Sequence, residues 1–170
     1  MSAFGPLYLI SVVLAGLVII AHSLWAMYGS PPRMEWFILA TLTLLTGSFT
    51  IRVPTLAARI SVSETFVFTS VLLFGPAAGT ATVVLDSLIA SFWLRSTTRS
   101  TAKLLFNAAA PAIAIWSSSQ VFFLIVRTEP GAIHTRNLGE LIGPVFTFAL
   151  LYFLVNTSLV AGAIATERAA

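Results

Sequence analysis

The residue best suited to carry chemistry in this sequence is Asp86, a carboxylate in the middle of the apolar run ATVVLDSLIAS, residues 81–91. In a membrane helix such a charge costs about 2.5–3.5 kcal/mol on insertion scales, and charged groups placed there usually face the bundle interior and mark functional sites. Thr82 lies four residues earlier, on the same helical face. The spacing predicts an inward-facing polar stripe, at which Asp86 either contacts a ligand or makes a structural hydrogen bond to a neighbouring group.

Two amides and two arginines complete the set of candidate ligand-binding residues. Asn107 and Asn156 lie in two other apolar stretches, where they could line a cavity or act as packing contacts worth about 0.6 kcal/mol each. Arg52 and Arg59 flank a segment of alternating polarity. They could hold an anionic ligand or a lipid headgroup, or they could anchor a loop on the positive side of a membrane.

The sequence lacks the signatures of the common enzyme classes. It contains no G-x-S-x-G, H-E-x-x-H, P-loop or G-x-G-x-x-G motif. It also has no cysteine, which excludes disulfides and cysteine-ligated metals. His22, beside Trp25 and Tyr28, is typical of an interfacial aromatic belt, and His134 falls in a predicted loop. We therefore expect no enzymatic activity, no metal site and no cofactor.

The composition predicts a polytopic membrane protein. Of the 170 residues, 58% are hydrophobic and only 9% are charged, against about 25% charged in ordinary soluble domains. The mean hydropathy is +0.96, so there is too little polar surface to cover the apolar side chains in water. Nine basic residues against six acidic ones, without a basic run, fit membrane-protein loops better than a nucleic-acid interface. The length predicts a single integral membrane domain.

The apolar runs predict an all-α bundle of six helical segments. Because residues 1–6 carry no Lys or Arg, the first segment is expected to be a retained membrane helix rather than a signal peptide. Alternating polarity over residues 49–62 predicts a short extended flap, and Ser61 with Glu64 forms an S-x-x-E capping box, with Ser63 as a rival cap. The predicted helical segments are residues 7–28, 36–50, 64–74, 76–94, 102–126 and 138–166.

The Gly75-Pro76 pair interrupts the apolar run between the third and fourth segments. Gly is preferred just after a helix and Pro at its first residue, so the pair predicts a turn inside the bilayer, and Gly79 would allow a close helix approach. The alternative is one long helix with a kink, which costs about 3 kcal/mol. A turn divides the basic residues six to three between the two sides and a kink five to four, so the positive-inside rule favours the turn. With a turn, the more basic side holds Arg52, Arg59, Arg95, Arg99, Lys103 and Arg168.

The run ISVSETFVFTSVLLFGPAAGTATVVLDSLIAS, residues 60–91, resembles parts of two bacterial membrane families. One is the substrate-binding S component of energy-coupling-factor vitamin transporters, in which a similar LLFGP-x-x-G run followed by Asp joins a short helix to the next helix. The other is the multi-pass membrane module at the N-terminus of some HD-GYP and GGDEF signalling proteins. That module shows similar runs, and this resemblance covers about residues 36–168. The matching runs here are Arg52–Pro54, Ile60–Phe68, Leu72–Gly79, the basic loop Arg95–Arg99 and Leu104–Asn107.

The resemblances imply different functions. The signalling module implies a ligand- or membrane-sensing protein of the bacterial inner membrane, with an output domain after Ala170, and it predicts a polar cavity with Asp86 and Asn107 on its wall. The S component implies a vitamin-like substrate-binding subunit of a transporter with separate partner subunits. A scaffold subunit of a membrane complex is the third hypothesis, and it predicts a closed bundle. The expected partners are the lipid bilayer, a small-molecule ligand, and partner subunits or that output domain, but no nucleic acid.

Overall fold

The structure, a computed structural model, describes residues 4–47, 50–52, 59–93, 101–133 and 137–168. These ranges contain six α-helices and one antiparallel pair of short β-strands. In chain order the elements are α1 (Phe4–Gly29), α2 (Met34–Gly47), β1 (Thr50–Arg52), β2 (Arg59–Ser61), α3 (Ser63–Phe74), α4 (Pro76–Trp93), α5 (Thr101–Val126) and α6 (Leu138–Arg168). The predicted helix bundle with its extended flap is confirmed, and each helix ends within three residues of its expected bounds.

Three of the described helices are long and apolar enough to cross a membrane, namely Gly5–Gly29, Thr101–Val126 and Leu138–Thr166. Large apolar side chains lie exposed along these helices, including Leu14 and Phe153. A contiguous apolar surface of this kind would be unfavourable in water and is what a helix presents to lipid. The described part of the chain is therefore that of a membrane protein.

The helices α2 and α3 are too short to cross a membrane alone. They have 14 and 12 residues, hence lengths of about 21 and 18 Å, whereas the hydrocarbon core is about 30 Å thick. The hairpin of β1 and β2 connects them, and its register pairs Thr50 with Ser61, Ile51 with Ile60 and Arg52 with Arg59. The alternating polarity of residues 49–62 therefore predicted the hairpin correctly.

Gly75 forms the turn between α3 and α4. Its backbone has φ +90°, and its N–H donates to the carbonyl oxygen of Val71 at 2.8 Å, after which Pro76 begins α4. A Cβ on Gly75 would lie 2.8 Å from Cγ of Pro130 in the α5–α6 connection. The predicted turn is confirmed and the single kinked helix is excluded.

The Gly75 turn lies at one end of the bundle, which we call the turn end. There a cavity of about 640 Å³ is lined by the α1–α2 connection, by Phe74 beside the turn and by Pro130. The opposite, terminal end holds the start of α1 and the end of α6, where Gly5 lies against Thr166. We expected the turn inside the bilayer, but it lies level with two other interhelical connections. The other end of the α2–α3 pair, which includes Gly47 and Ser63, therefore lies deeper in the bundle.

Buried apolar side chains of α3, α4, α5 and α6 form the main core, with Val71, Ile115, Phe122 and Phe148 fully buried. Gly79 of α4 lies against Val71 so closely that a Cβ would overlap the valine side chain. The predicted close approach at Gly79 is therefore present, and the neighbour is the preceding short helix.

Candidate functional site

Asp86 lies where the end of α2 and the start of α3 meet α4. The Ser63 hydroxyl donates to Asp86 Oδ2 at 3.0 Å. Asp86 Oδ1 lies so close to Gly47 that a Cβ on Gly47 would overlap it. This oxygen is buried and has no hydrogen-bond partner among the described residues. The carboxylate therefore makes the structural hydrogen bond that the sequence allowed, while one of its oxygens stays unsatisfied.

The start of α3 differs from the expected capping box. The N-cap residue is Val62, whose φ of −69° and ψ of −20° are already helical, and no side chain caps the helix. The prediction of a Ser61–Glu64 box is wrong because the helix begins at Ser63, whose hydroxyl bonds to Asp86 instead. Negative charge is favourable at a helix N-terminus. The Asp86 carboxylate on α4 thus lies at the start of α3, where Glu64 was expected to provide the negative charge.

A cavity of about 320 Å³, which we call the Asp86 cavity, opens between α3, α4, α5 and α6. Its volume is at the lower end of the range for ligand pockets, about 300–1,000 Å³. Apolar side chains such as Val83 and Phe106 form part of the wall. The polar side chains on the wall come from all four helices and are Glu64, Asp86, Ser87, Ser91, Asn107, Tyr152 and Asn156.

Three of the candidate residues share the wall of the Asp86 cavity, namely Asp86, Asn107 and Asn156. The amide nitrogen of Asn107 lies 3.5 Å from the Ser91 hydroxyl, to which it donates. This contact joins α5 to α4 at the edge of the cavity. Residues far apart in sequence and on three different helices are thus brought to one site.

Thr82 lies outside the Asp86 cavity, although it was a candidate for ligand binding. Its side chain is fully buried, and its hydroxyl donates to the carbonyl oxygen of Ala78 at 2.8 Å. The Thr82 hydroxyl oxygen also accepts a hydrogen bond from Nε1 of Trp36 at 3.0 Å. Thr82 therefore joins α2 to α4. Helical spacing placed Thr82 correctly relative to Asp86, but it could not show which neighbouring helix Thr82 contacts.

The two candidate arginines lie opposite each other in the hairpin, since Arg52 pairs with Arg59 in the strand register. Their side chains lie outside the part of the chain that the structure describes. Their role in holding an anion or a lipid headgroup stays a prediction.

Four polar residues of the cavity wall were not among the candidates, namely Glu64, Ser87, Ser91 and Tyr152. Tyr152 is only 7% exposed, and its ring meets Phe68 edge-on with the ring centroids 5.3 Å apart. Tyr152 could have been predicted from its spacing to Asn156, because residues four apart in a helix lie on one face. Glu64 was assigned to a helix cap, and its place on the wall depends on how α3 is rotated.

Other cavities and the His22 ring lie elsewhere among the described residues. The 640 Å³ cavity at the turn end is lined in part by Arg33 and Glu35, and a mainly apolar cavity of about 520 Å³ at the terminal end is lined in part by Lys103. The ring of His22 lies edge-on to Trp116, with centroids 6.5 Å apart. Within the described ranges, His, Asp and Glu form no group of three that could hold a metal ion.

Comparison with known proteins finds no relative for this chain. No protein-family model, no curated protein and no solved structure matches it. The resemblances to sensor modules and to transporter S components are therefore pattern-level predictions, and functional inference depends on the geometry around Asp86.

Proposed function

We propose that this chain is a non-enzymatic, multi-pass protein of the bacterial inner membrane that senses a small ligand through the Asp86 cavity. The observation that carries the proposal is the convergence of polar side chains from four helices on one cavity of about 320 Å³. Polar groups at membrane depth are costly and mark functional sites by default. A bundle that served only as a scaffold would not need polar side chains from four helices to converge on one cavity.

The surroundings of Asp86 offer a route from ligand binding to a change of shape. The carboxylate contacts Gly47 at the end of α2 and Ser63 at the start of α3, and the hairpin lies between these two residues. A ligand that takes the Asp86 carboxylate as its partner competes with the Ser63 hydroxyl for the same group. The contacts that hold the hairpin would then differ between the free and bound states. A ligand shifts a conformational equilibrium only when it binds the two states with different affinities.

A transporter subunit is the second candidate, and the same cavity supports it. The short helix, the Gly75 turn and the Asp86 helix match the pattern that resembles transporter S components. A substrate-binding subunit needs separate energising subunits, whereas a sensor needs an output domain. Copurification with ATPase subunits from native membranes would favour transport over sensing.

The proposed cavity function is tested by filling the cavity. We expect the wild-type protein, purified in mild detergent, to carry a small molecule that native mass spectrometry detects. The substitution Ala90→Phe fills the Asp86 cavity from α4 and should abolish that added mass. Ala15→Phe makes the same change on the exposed face of α1 and should leave it. An added mass that survives Ala90→Phe, or its absence from wild type, would contradict the proposal.

A further inference from the structure

The charged side chains that the structure describes on the wall of the Asp86 cavity are both carboxylates, Glu64 and Asp86, and the described wall holds no Lys, Arg or His. The two carboxylates are close enough to interact electrostatically. Taking charges out of water costs several kcal/mol per ion unless an opposite charge compensates them. A site with this lining repels an anionic ligand and is stabilised by a cationic one.

Two polar atoms at or next to this wall have no hydrogen-bond partner among the described residues. Asp86 Oδ1 is buried and has no partner among the described residues. The structure shows no hydrogen bond from the Tyr152 hydroxyl to another described residue, although Tyr152 is 7% exposed and lies on the wall. Buried polar groups are nearly always hydrogen-bonded, so exceptions need an explanation such as a bound ligand. Asp86 Oδ1 lies against Gly47 of α2, whereas the Tyr152 hydroxyl lies on the cavity wall. An ionised carboxylate only accepts hydrogen bonds, so a ligand that meets Glu64, Asp86 and Tyr152 in this cavity is best a donor.

We propose that the ligand of the Asp86 cavity is a small organic monocation whose nitrogen donates hydrogen bonds, a primary ammonium or a guanidinium. This inference rests on the proposed function and specifies its ligand class. Glu64 and Asp86 supply the opposite charge, and the Tyr152 hydroxyl and the amide oxygen of Asn156 supply further acceptors. The rings of Phe106 and Tyr152 line the same space, and an aromatic face attracts a cation.

Four probes that each carry a four-carbon chain separate the effect of ligand charge from that of the apolar body. Butylammonium and butylguanidinium are cations, butyramide is neutral and butyrate is an anion. The full chain in detergent is titrated with each probe up to about 10 mM, which covers dissociation constants near 1 mM. Isothermal calorimetry and the melting temperature report binding. We expect the two cations to bind and to raise the melting temperature, and the other two probes to do neither.

Glu64→Gln is the decisive variant, because Glu64 is exposed at the start of α3 and the helix has no side-chain cap to lose. Because Glu64 is exposed, removing its charge should weaken butylammonium binding about three- to fivefold, as expected for an exposed ion pair. Glu35→Gln makes the same change at the turn end and should leave the affinity unchanged. Tyr152→Phe removes one acceptor and should weaken binding about tenfold, since a hydrogen bond to a charged group is lost.

The outcomes test the proposed ligand class separately from the proposed function of the cavity. Cation binding that falls in Glu64→Gln but not in Glu35→Gln supports the proposal. Preferred binding of butyrate or butyramide that Ala90→Phe abolishes overturns the cation class and leaves the cavity function standing. Equal binding to wild type and Glu64→Gln, displacement by sodium chloride alone, or no binding of any probe also overturns the cation class. The mass carried by the purified protein then decides the cavity function separately.

Discussion

Replacing Gly16 by alanine probes the approach of α1 to α5. Gly16 is buried, and a Cβ there would lie 2.6 Å from Cα of Ala109 and 3.0 Å from its carbonyl oxygen, and closer still to its Cβ. Because two of the obstructing atoms belong to the backbone, no side-chain rotation can relieve the overlap. One of the two helices has to shift.

The expected loss of stability follows from two opposing effects. Overpacking a well-packed contact costs about 1–3 kcal/mol, and a backbone obstruction at 2.6 Å places Gly16→Ala in the upper part of that range. Alanine in a helix is favoured over glycine by about 0.5–1 kcal/mol. The net loss in the free energy of unfolding is therefore about 1–2 kcal/mol. Gly139→Ala is the matched control, because nothing lies within 4 Å of a Cβ there.

The assay is unfolding of the purified protein in mixed micelles by increasing SDS, followed by the loss of helical circular dichroism. Gly16→Ala should unfold at lower SDS than wild type, and Gly139→Ala should unfold at the same SDS or higher. If both variants unfold together with wild type, α1 and α5 do not approach as closely as the structure shows, and the reasoning is refuted.

The remaining predictions use the same unfolding assay. Gly75→Ala should cost about 1–3 kcal/mol, because φ +90° with ψ −179° is a region that only glycine adopts readily; an unchanged stability would contradict the turn. Trp36→Phe should cost about 1 kcal/mol through the lost hydrogen bond to Thr82, and adding Thr82→Val should then cost less than it does alone, whereas full additivity would rule out the bond. Ser63→Ala should cost about 1–3 kcal/mol, because Asp86 Oδ2 loses its partner. That loss should shrink in an Asp86→Ala background, which removes the acceptor, and an equal loss in both backgrounds would disprove the coupling.

Local signals in the sequence were enough to predict the elements of the fold. Long apolar runs fixed the helices, and alternation over residues 49–62 indicated the hairpin, because a period of two is a property of extended chain. The order of Gly75 and Pro76 predicted the turn, because each residue has a positional preference at a helix end. These signals depend on a few neighbouring residues and need no knowledge of the rest of the bundle.

The contacts that build the site could not be predicted in this way, because they depend on how each helix is rotated and how deep it lies. Thr82 and Asp86 share a helical face, yet Thr82 meets Trp36 of α2 while Asp86 meets Ser63 of α3. Glycine at position 47 has no local signal either, and its importance appears only when α2 is placed against Asp86. A single sequence gives helical faces but not the neighbours of those faces.

The depth of Asp86 explains why a carboxylate is placed there at all. Asp86 lies ten residues after Pro76, hence about 15 Å along α4 from the turn end, half of a hydrocarbon core about 30 Å thick. Gly47 and Ser63 contact it at that depth, where two helices end and their backbone groups need partners that lipid cannot supply. One carboxylate oxygen accepts the hydrogen bond from Ser63, and the other is buried without a described partner. The negative charge suits the N-terminus of α3, and the carboxylate therefore joins the two helix ends at a depth where neither water nor lipid could do so.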